Sequence, residues 1–244
     1  MADTDPGMPP VLEQLWGLRG PGRRGGPRPA LSLDRIVAAA VELADAGGLA
    51  ALSMGRLAEK LGFTTMSLYR YVASKDDLLV LMLDAALEPP ELPEADWRKQ
   101  CAGWALALQD CYRRHPWALE LPVSGLPAGP NQLTWLDRGL RALAGLELAP
   151  AEKASTVLLL STYVRAQTQL MRDLTRAGAA AAGPDWAAVV TRLADPARYP
   201  EVSALVRAGV FEDDPDDFDD EEFDFGLGRV LDGIEALHRA RVAG

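Results

Sequence analysis

Apolar residues recur along this chain in steps of four and three, and that spacing dictates helix. Trp97, Cys101, Trp104, Leu108 and Cys111 step by 4, 3, 4 and 3, and Phe223, Leu227, Val230, Ile234 and Leu237 repeat the pattern. Such steps hold the side chains on one face of a helix, whereas on a strand they would scatter over both faces of a sheet. No segment sustains a period of two and no internal repeat is visible, so the expected fold is all-α. The length of 244 residues and a 48% hydrophobic content suit one large domain, or a small domain joined to a larger one.

The punctuation supports the same reading. Ser32 is a good N-cap for a first helix bearing Asp34 in its first turn, with Ile36, Val37, Ala40, Leu43 and Ala44 as its apolar stripe and Gly47-Gly48 as its stop. Ser53 caps a short second helix that carries Met54, Leu57, Ala58 and Leu61 and ends at Gly62. A third begins at Thr64, with Leu68 and Val72 turned inward and Phe63 beneath the turn. Ser74, with Asp77 three residues on, opens a fourth that runs to the Pro89-Pro90 break. Beyond a loop from Pro122 to Pro130, one helix is expected through Leu133, Leu136, Leu140 and Leu143, and a long one from Pro150 to about Thr175. Residues from Ala177 to Pro184 read as a loop, Asp185 as the cap of a shorter helix, and the last helix as following an acidic run.

Charge is unevenly placed. The formal net charge is -10, yet Trp16 to Lys75 holds nine basic residues against four acids, a local surplus of +5. Ten acids between Glu212 and Asp224, with no base among them, equal the whole net charge. A positive N-terminal region is the electrostatic footprint of a phosphate-binding face. The acidic run has no Asp-x-Asp-x-Asp-Gly order suited to calcium, and it reads as a solvated face.

Three short helices, the last two separated by a tight Gly-containing turn, form the pattern of a helix-turn-helix, whose final helix enters the major groove of DNA. Thr65, Ser67, Arg70, Tyr71 and Lys75 have the hydrogen-bonding or methyl-bearing character that such a helix requires. The competing reading makes Tyr69 and Tyr71 packing residues and the hydroxyls mere caps. Residues 1–30, rich in Gly, Pro and Arg, read as a flexible basic arm, which the sequence leaves as either a solvated tail or a strand along DNA. Within it VLEQLWG is long enough for one amphipathic turn.

The run LSMGRLAEKLGFTTMSLYRYVASKDDLL resembles the DNA-binding domain of the TetR family of transcriptional regulators, from about Leu31 to Leu83. FDFGLGRVLDGIEALH resembles the last helix of the tetracycline-repressor-like C-terminal class. The resemblance implies an N-terminal helix-turn-helix over residues 31–76 and a helical effector-binding and dimerisation domain over 77–244. It implies that Thr65, Met66, Ser67 and Arg70 face bases, with Thr64, Tyr69, Tyr71 and Lys75 nearer the phosphates. Gly55 stands where relatives often place a long polar side chain, so a contact is either missing there or supplied by Arg56.

The resemblance further implies a homodimer on a palindromic double-stranded operator, paired through the long helix from Pro150 and the final helix, with Gly226, Gly228 and Gly233 allowing close approach. Repression is the usual outcome in the family. A small-molecule effector would lie among Trp104, Leu108, Trp117, Trp135, Tyr163, Gln167 and Met171, a mostly apolar set that is also the makeup of an ordinary core. The chain has only His115, in what reads as a turn, and His238 in the tail of the last helix, which suits an apolar or aromatic effector better than a metal chelate.

No cofactor and no metal are expected, since Cys101 and Cys111 are the only cysteines and show no zinc spacing. An enzyme is disfavoured by the lack of a phosphate-cradling Gly loop, a Gly-x-Ser-x-Gly elbow or a metal cluster. The rivals are a small-molecule enzyme without DNA binding and a helical protein-interaction module. A cytoplasmic, soluble protein is expected, because no apolar run approaches the ~20 residues that span a bilayer and MADTDPGMPP lacks the pattern of a secretory signal.

Overall fold

The computed structural model describes the backbone of residues 7–18, 31–123, 127–180, 186–210 and 215–243. Among them are eleven α-helices, one 3-10 turn and no strand. The helices are α1 (Pro10–Leu15), α2 (Leu33–Ala51), α3 (Met54–Leu61), α4 (Thr65–Leu68), α5 (Lys75–Ala86), α6 (Trp97–Arg114), α7 (Pro130–Ala142), α8 (Pro150–Ala180), α9 (Trp186–Leu193), α10 (Pro200–Arg207) and α11 (Pro215–Ala243), with the 3-10 turn at Pro116–Glu120. The chain divides into two compact units, Met1–Ser161 and Thr162–Gly244.

In the first unit α2 packs on α3 and on α5. Ile36 and Ala40 of α2, Leu57 of α3 and Leu78 and Met82 of α5 have no exposed surface. Each such Ile, Leu or Met side chain removed from water contributes about 1.5–3 kcal/mol. Ser32, Ser53 and Ser74 cap α2, α3 and α5 by accepting from the amides of Arg35, Arg56 and Asp77, at 3.3, 3.2 and 2.9 Å. Gly48 ends the regular part of α2 with φ 68°, a left-handed conformation in which a β-carbon is strained.

Three expectations shift. The arm is partly folded: α1 forms within it and docks on its own chain, Gln14 Nε2 donating to the Tyr71 carbonyl at 2.7 Å and Trp16 Nε1 to the Ala128 carbonyl at 2.9 Å. Arm residues 19–30 lie outside the described residues, as do Asp185 and residues 211–214 of the acidic run. α8 continues to Ala180 and α11 begins at Pro215, so helix occupies backbone that the sequence suggests for loop and acidic run.

The inward face of α7 only partly follows its leucines. Leu143, just past its end, is buried, Leu136 and Leu140 are half-buried and Leu133 is 37% exposed, whereas Trp135, Gly139 and Ala142 are buried. A β-carbon at Gly139 would come within 3.0 Å of Val157 and 3.3 Å of the Trp104 indole nitrogen, so glycine sets how closely α7 approaches its neighbours. A similar offset occurs in the second unit, where Phe223, Leu227, Leu231 and Ile234 are buried while Leu237 is exposed. There Gly226 lies directly against the Tyr163 ring, and the Tyr163 hydroxyl donates to the Phe223 carbonyl at 2.7 Å.

Asp84 of α5 holds the start of α7. Gly129, the N-cap, has no side chain to accept the first amides, and the Asp84 carboxylate does so instead, from Gln132 at 3.2 Å and Asn131 at 3.4 Å. Asn131 Nδ2 returns a bond to the Asp84 carbonyl at 2.9 Å. Burial raises the Asp84 carboxyl above its ordinary 3.8, and the two amide bonds oppose that shift.

Asp84→Ala should cost about 1–3 kcal/mol in urea unfolding, because two α7 amides lose their acceptor. Asp84→Asn should keep an acceptor without the buried charge and be at least as stable as wild type near neutral pH. The native state binds this proton more tightly than the unfolded chain does, so the charge penalty is full above the folded pKa and fades as pH falls towards 3.8. Any advantage of Asp84→Asn should therefore shrink on acidification. Equal losses in both variants near neutral pH that disappear on acidification would assign the effect to charge and not to capping.

Candidate nucleic-acid interface and ligand core

The turn between α3 and α4 is built by three residues in succession. Gly62 takes φ 75° and ψ 31°, the left-handed cap that lets the Phe63 amide reach back to the Ala58 carbonyl at 2.9 Å. Thr64 then caps α4, its hydroxyl accepting from the Ser67 amide at 3.3 Å and bonding the Ser67 hydroxyl at 2.9 Å. Leu68 and Val72 are fully buried and fix the orientation of the segment.

This leaves a defined outward face. Met66 is 72% exposed and Tyr69 47%, and Thr65, Arg70 and Lys75 are exposed. Ser67 is half-buried with its hydroxyl already in contact with Thr64. Tyr71 departs most from the expectation of a phosphate-facing residue: half-buried, it donates its hydroxyl proton to the Leu31 carbonyl at 3.0 Å, while its own carbonyl receives Gln14. That proton is not available to a phosphate while the bond stands. Arg56 reaches the Ala51 carbonyl at 3.4 Å, and Lys60 pairs with Glu42 at 2.9 Å. A β-carbon at Gly55 would meet only Ser53 Oγ, at 3.9 Å, so the position has room for a side chain.

The residues expected to bind ligand are largely satisfied by the protein itself. Trp104 and Trp135 meet edge to face at 5.3 Å, Trp104 Nε1 donating to the Trp135 carbonyl and Trp135 Nε1 to the Leu87 carbonyl, both at 2.9 Å. Trp117 Nε1 donates to Asp45 Oδ1 at 2.7 Å, and His115 Nδ1 lies 2.8 Å from the same oxygen. These two residues therefore tie the end of α6 and the 3-10 turn to α2, which makes His115 more than a turn residue. Leu108 is buried on α6; in the second unit Met171 is buried, Gln167 half-buried and Tyr163 bonded to Phe223. None of the seven lines the open cleft of about 580 Å³ in the first unit or the hollow of about 180 Å³ beside α9 and α10.

Sequence reasoning passes over Gln109. It is 2% exposed on α6, beside Leu108, and its side-chain amide nitrogen has no hydrogen-bond partner among the described residues. A polar residue on a buried apolar stripe was the available signal. Cys101 and Cys111 are buried free thiols, Cys101 pushed up to about 12 by desolvation, which makes it inert.

Residues 36–82 match the family described as bacterial regulatory proteins, tetR family, and residues 89–238 match the tetracyclin repressor-like C-terminal domain. The chain is 38% identical over 238 residues to the HTH-type transcriptional repressor DrrR1 of Streptomyces coeruleorubidus, covering 93% of this chain and 85% of that one. It is 26% identical over 215 residues to a transcriptional repressor of Mycobacterium tuberculosis, covering 84% and 80%. Among solved structures it superposes on ActR of Streptomyces coelicolor in complex with actinorhodin with TM-score 0.72 and 30% identity, over 84% of this chain and 97% of that one. The same protein in complex with (S)-DNPA gives TM-score 0.70 and 28% identity, over 85% and 98%. With its capped helix-turn-helix and its helical C-terminal region, the chain belongs to the TetR family of bacterial transcriptional regulators.

Proposed function

We propose that this protein is a ligand-responsive transcriptional repressor that binds a palindromic DNA operator as a homodimer and leaves it on binding a small aromatic effector. The exposed array on α4 and the turn after it carries this reading: Thr65, Met66 and Arg70 project from a helix whose caps and buried Leu68 hold it rigid. Arg70 is assigned to base reading, since a guanidinium pairs bidentately with guanine. Thr65 and Met66 supply methyl and apolar contacts, and Ser67 contributes its hydroxyl after Thr64. Thr64, Tyr69 and Lys75 lie towards phosphates, whereas Tyr71 braces the segment through Leu31.

One such unit reads few base pairs, so two-fold pairing is required for useful specificity. The second unit has the surface for it: Leu170 and Leu174 on α8 and Phe225 on α11 are at least half exposed. A β-carbon at Gly228 or Gly233 would meet nothing within 4 Å in the single chain, leaving space for a neighbouring helix. The aromatic effector is supported by ActR, which holds actinorhodin. Gln109 is assigned as its polar anchor, because a buried amide donor without an acceptor is relieved by a ligand oxygen.

Selection from random DNA should return one palindromic motif. The absence of any enriched motif at moderate salt would overturn the reading. Arg70→Ala should lose about 1–3 kcal/mol of discrimination at one position in each half-site, with dimerisation intact. Unchanged preference would remove Arg70 from base reading.

Gly55→Arg tests the unfilled position. It should tighten binding to all sequences and steepen the salt dependence by about 0.9 per added phosphate contact. An unaltered slope would place Gly55 away from the DNA backbone.

Gln109→Leu should stabilise the free protein by about 1–2 kcal/mol, since it removes a desolvated amide that lacks a partner. With actinorhodin as probe, the variant should need a higher concentration for release from the selected motif. Release at the wild-type concentration would exclude Gln109 from the effector site.

A further inference from the structure

The cleft of about 580 Å³ in the first unit falls within the ~300–1,000 Å³ of small-molecule sites. It lies away from the indole core: its walls come from α1, α2, α5 and the start of α7, and none of Trp104, Leu108 or Gln109 lines it. Its sides are apolar, with Leu33, Val37 and Leu81 among them. Its polar groups are unusual in balance. Among the described residues that line it, Asp34, Glu42 and Asp84 are carboxylates and none is Lys or Arg. Lys60 offsets Glu42 in part, at 2.9 Å, and the amides of α7 offset Asp84, while His115 is turned to Asp45. Apolar walls with a surplus of carboxylates disfavour anions and give a neutral ring system no partner for the charge; they complement a cation that has an apolar body.

We propose that this cleft binds a small amphiphilic cation, an aromatic or aliphatic body bearing a protonated amine, at a site separate from the effector core. The body would lie against Val37 and Leu81 and the amine towards Asp34 and Glu42. The occupant would touch two structural links. Gln14 of the wall holds the Tyr71 carbonyl just beyond α4, and Asp84 holds the first amides of α7. Occupancy would thus alter the support of the recognition segment, a consequence for operator binding that rests on the function proposed above. Binding itself does not depend on that function.

The test uses the full chain without DNA and two probes of the same ring system, 9-aminoacridine, a cation near neutral pH, and acridine, uncharged there. Fluorescence titration should show saturable binding of 9-aminoacridine, at least about tenfold tighter than acridine, as expected for a partly shielded charge pair. Asp34→Asn should weaken the cation by about tenfold and leave acridine unchanged. Ala38 and Ala85 are exposed on the cleft walls, so Ala38→Trp and Ala85→Trp should fill the space without disturbing the core, which urea midpoints would verify, and should abolish cation binding. Equal affinity for the two probes, or full cation binding in both tryptophan variants, would overturn the site. On saturation with 9-aminoacridine, amide exchange should change in residues 10–15 and 69–72. Unchanged exchange in both segments would overturn the link to the recognition segment. Failure of motif selection alongside saturable cation binding would reject the DNA function and leave the site standing.

Discussion

Burial of α5 against α2 is the contact on which the rest of the first unit depends. Leu78 and Met82 of α5 and Ile36 and Ala40 of α2 are wholly removed from water, and α2 also receives α3. The recognition segment hangs between α3 and α5, so its orientation is inherited from this three-helix junction. The far end of α5 supplies Asp84 to the first amides of α7, and the Leu87 carbonyl just beyond it receives the Trp135 indole. One helix therefore supports both the DNA-facing segment and the helices that follow. A buried helix shared in this way couples the movements of the segments packed on it.

A second pair of links reinforces the coupling. Asp45 of α2 takes bonds from Trp117 and lies against His115, while α1 spans from the Tyr71 carbonyl to the Ala128 carbonyl. An effector that displaced α6 or the 3-10 turn would pull on Asp45 directly. Coupling of this kind needs differential contacts in two states, and the hydrogen bonds at Asp45, Tyr71 and Asp84 are the discrete contacts available to differ.

The helix-turn-helix was legible in the sequence nearly residue by residue, because its signals are local. Ser53, Thr64 and Ser74 accept from amides three residues away and Gly62 lets the Phe63 amide reach the Ala58 carbonyl five residues back, bonds that do not depend on the remainder of the fold. Side-chain roles at the same site were less legible. Tyr71 has the chemistry of a phosphate contact, yet its hydroxyl is taken by Leu31, forty residues away in sequence. Ser67 is already engaged by the Thr64 hydroxyl. The tryptophans illustrate the same limit: their size marks them as core or ligand wall, and only the carbonyls of Trp135 and Leu87 and the Asp45 carboxylate place them in the core.

The sequence by itself determined the helical class, the capped turn of the recognition unit and the separation of basic and acidic charge, since each follows from local periodicity or composition. Tertiary structure decided which face of α7 and α11 is buried, bringing Gly139 inward on α7 and burying Leu231 where periodicity gives Val230. It also decided that a segment of the arm docks as α1, that Asp84 caps a helix other than its own, and that the Gln109 side-chain nitrogen is buried without a partner among the described residues. These features depend on contacts between residues distant in sequence, and the meeting of such residues is set by packing of the whole core and not by the order of neighbours along the chain.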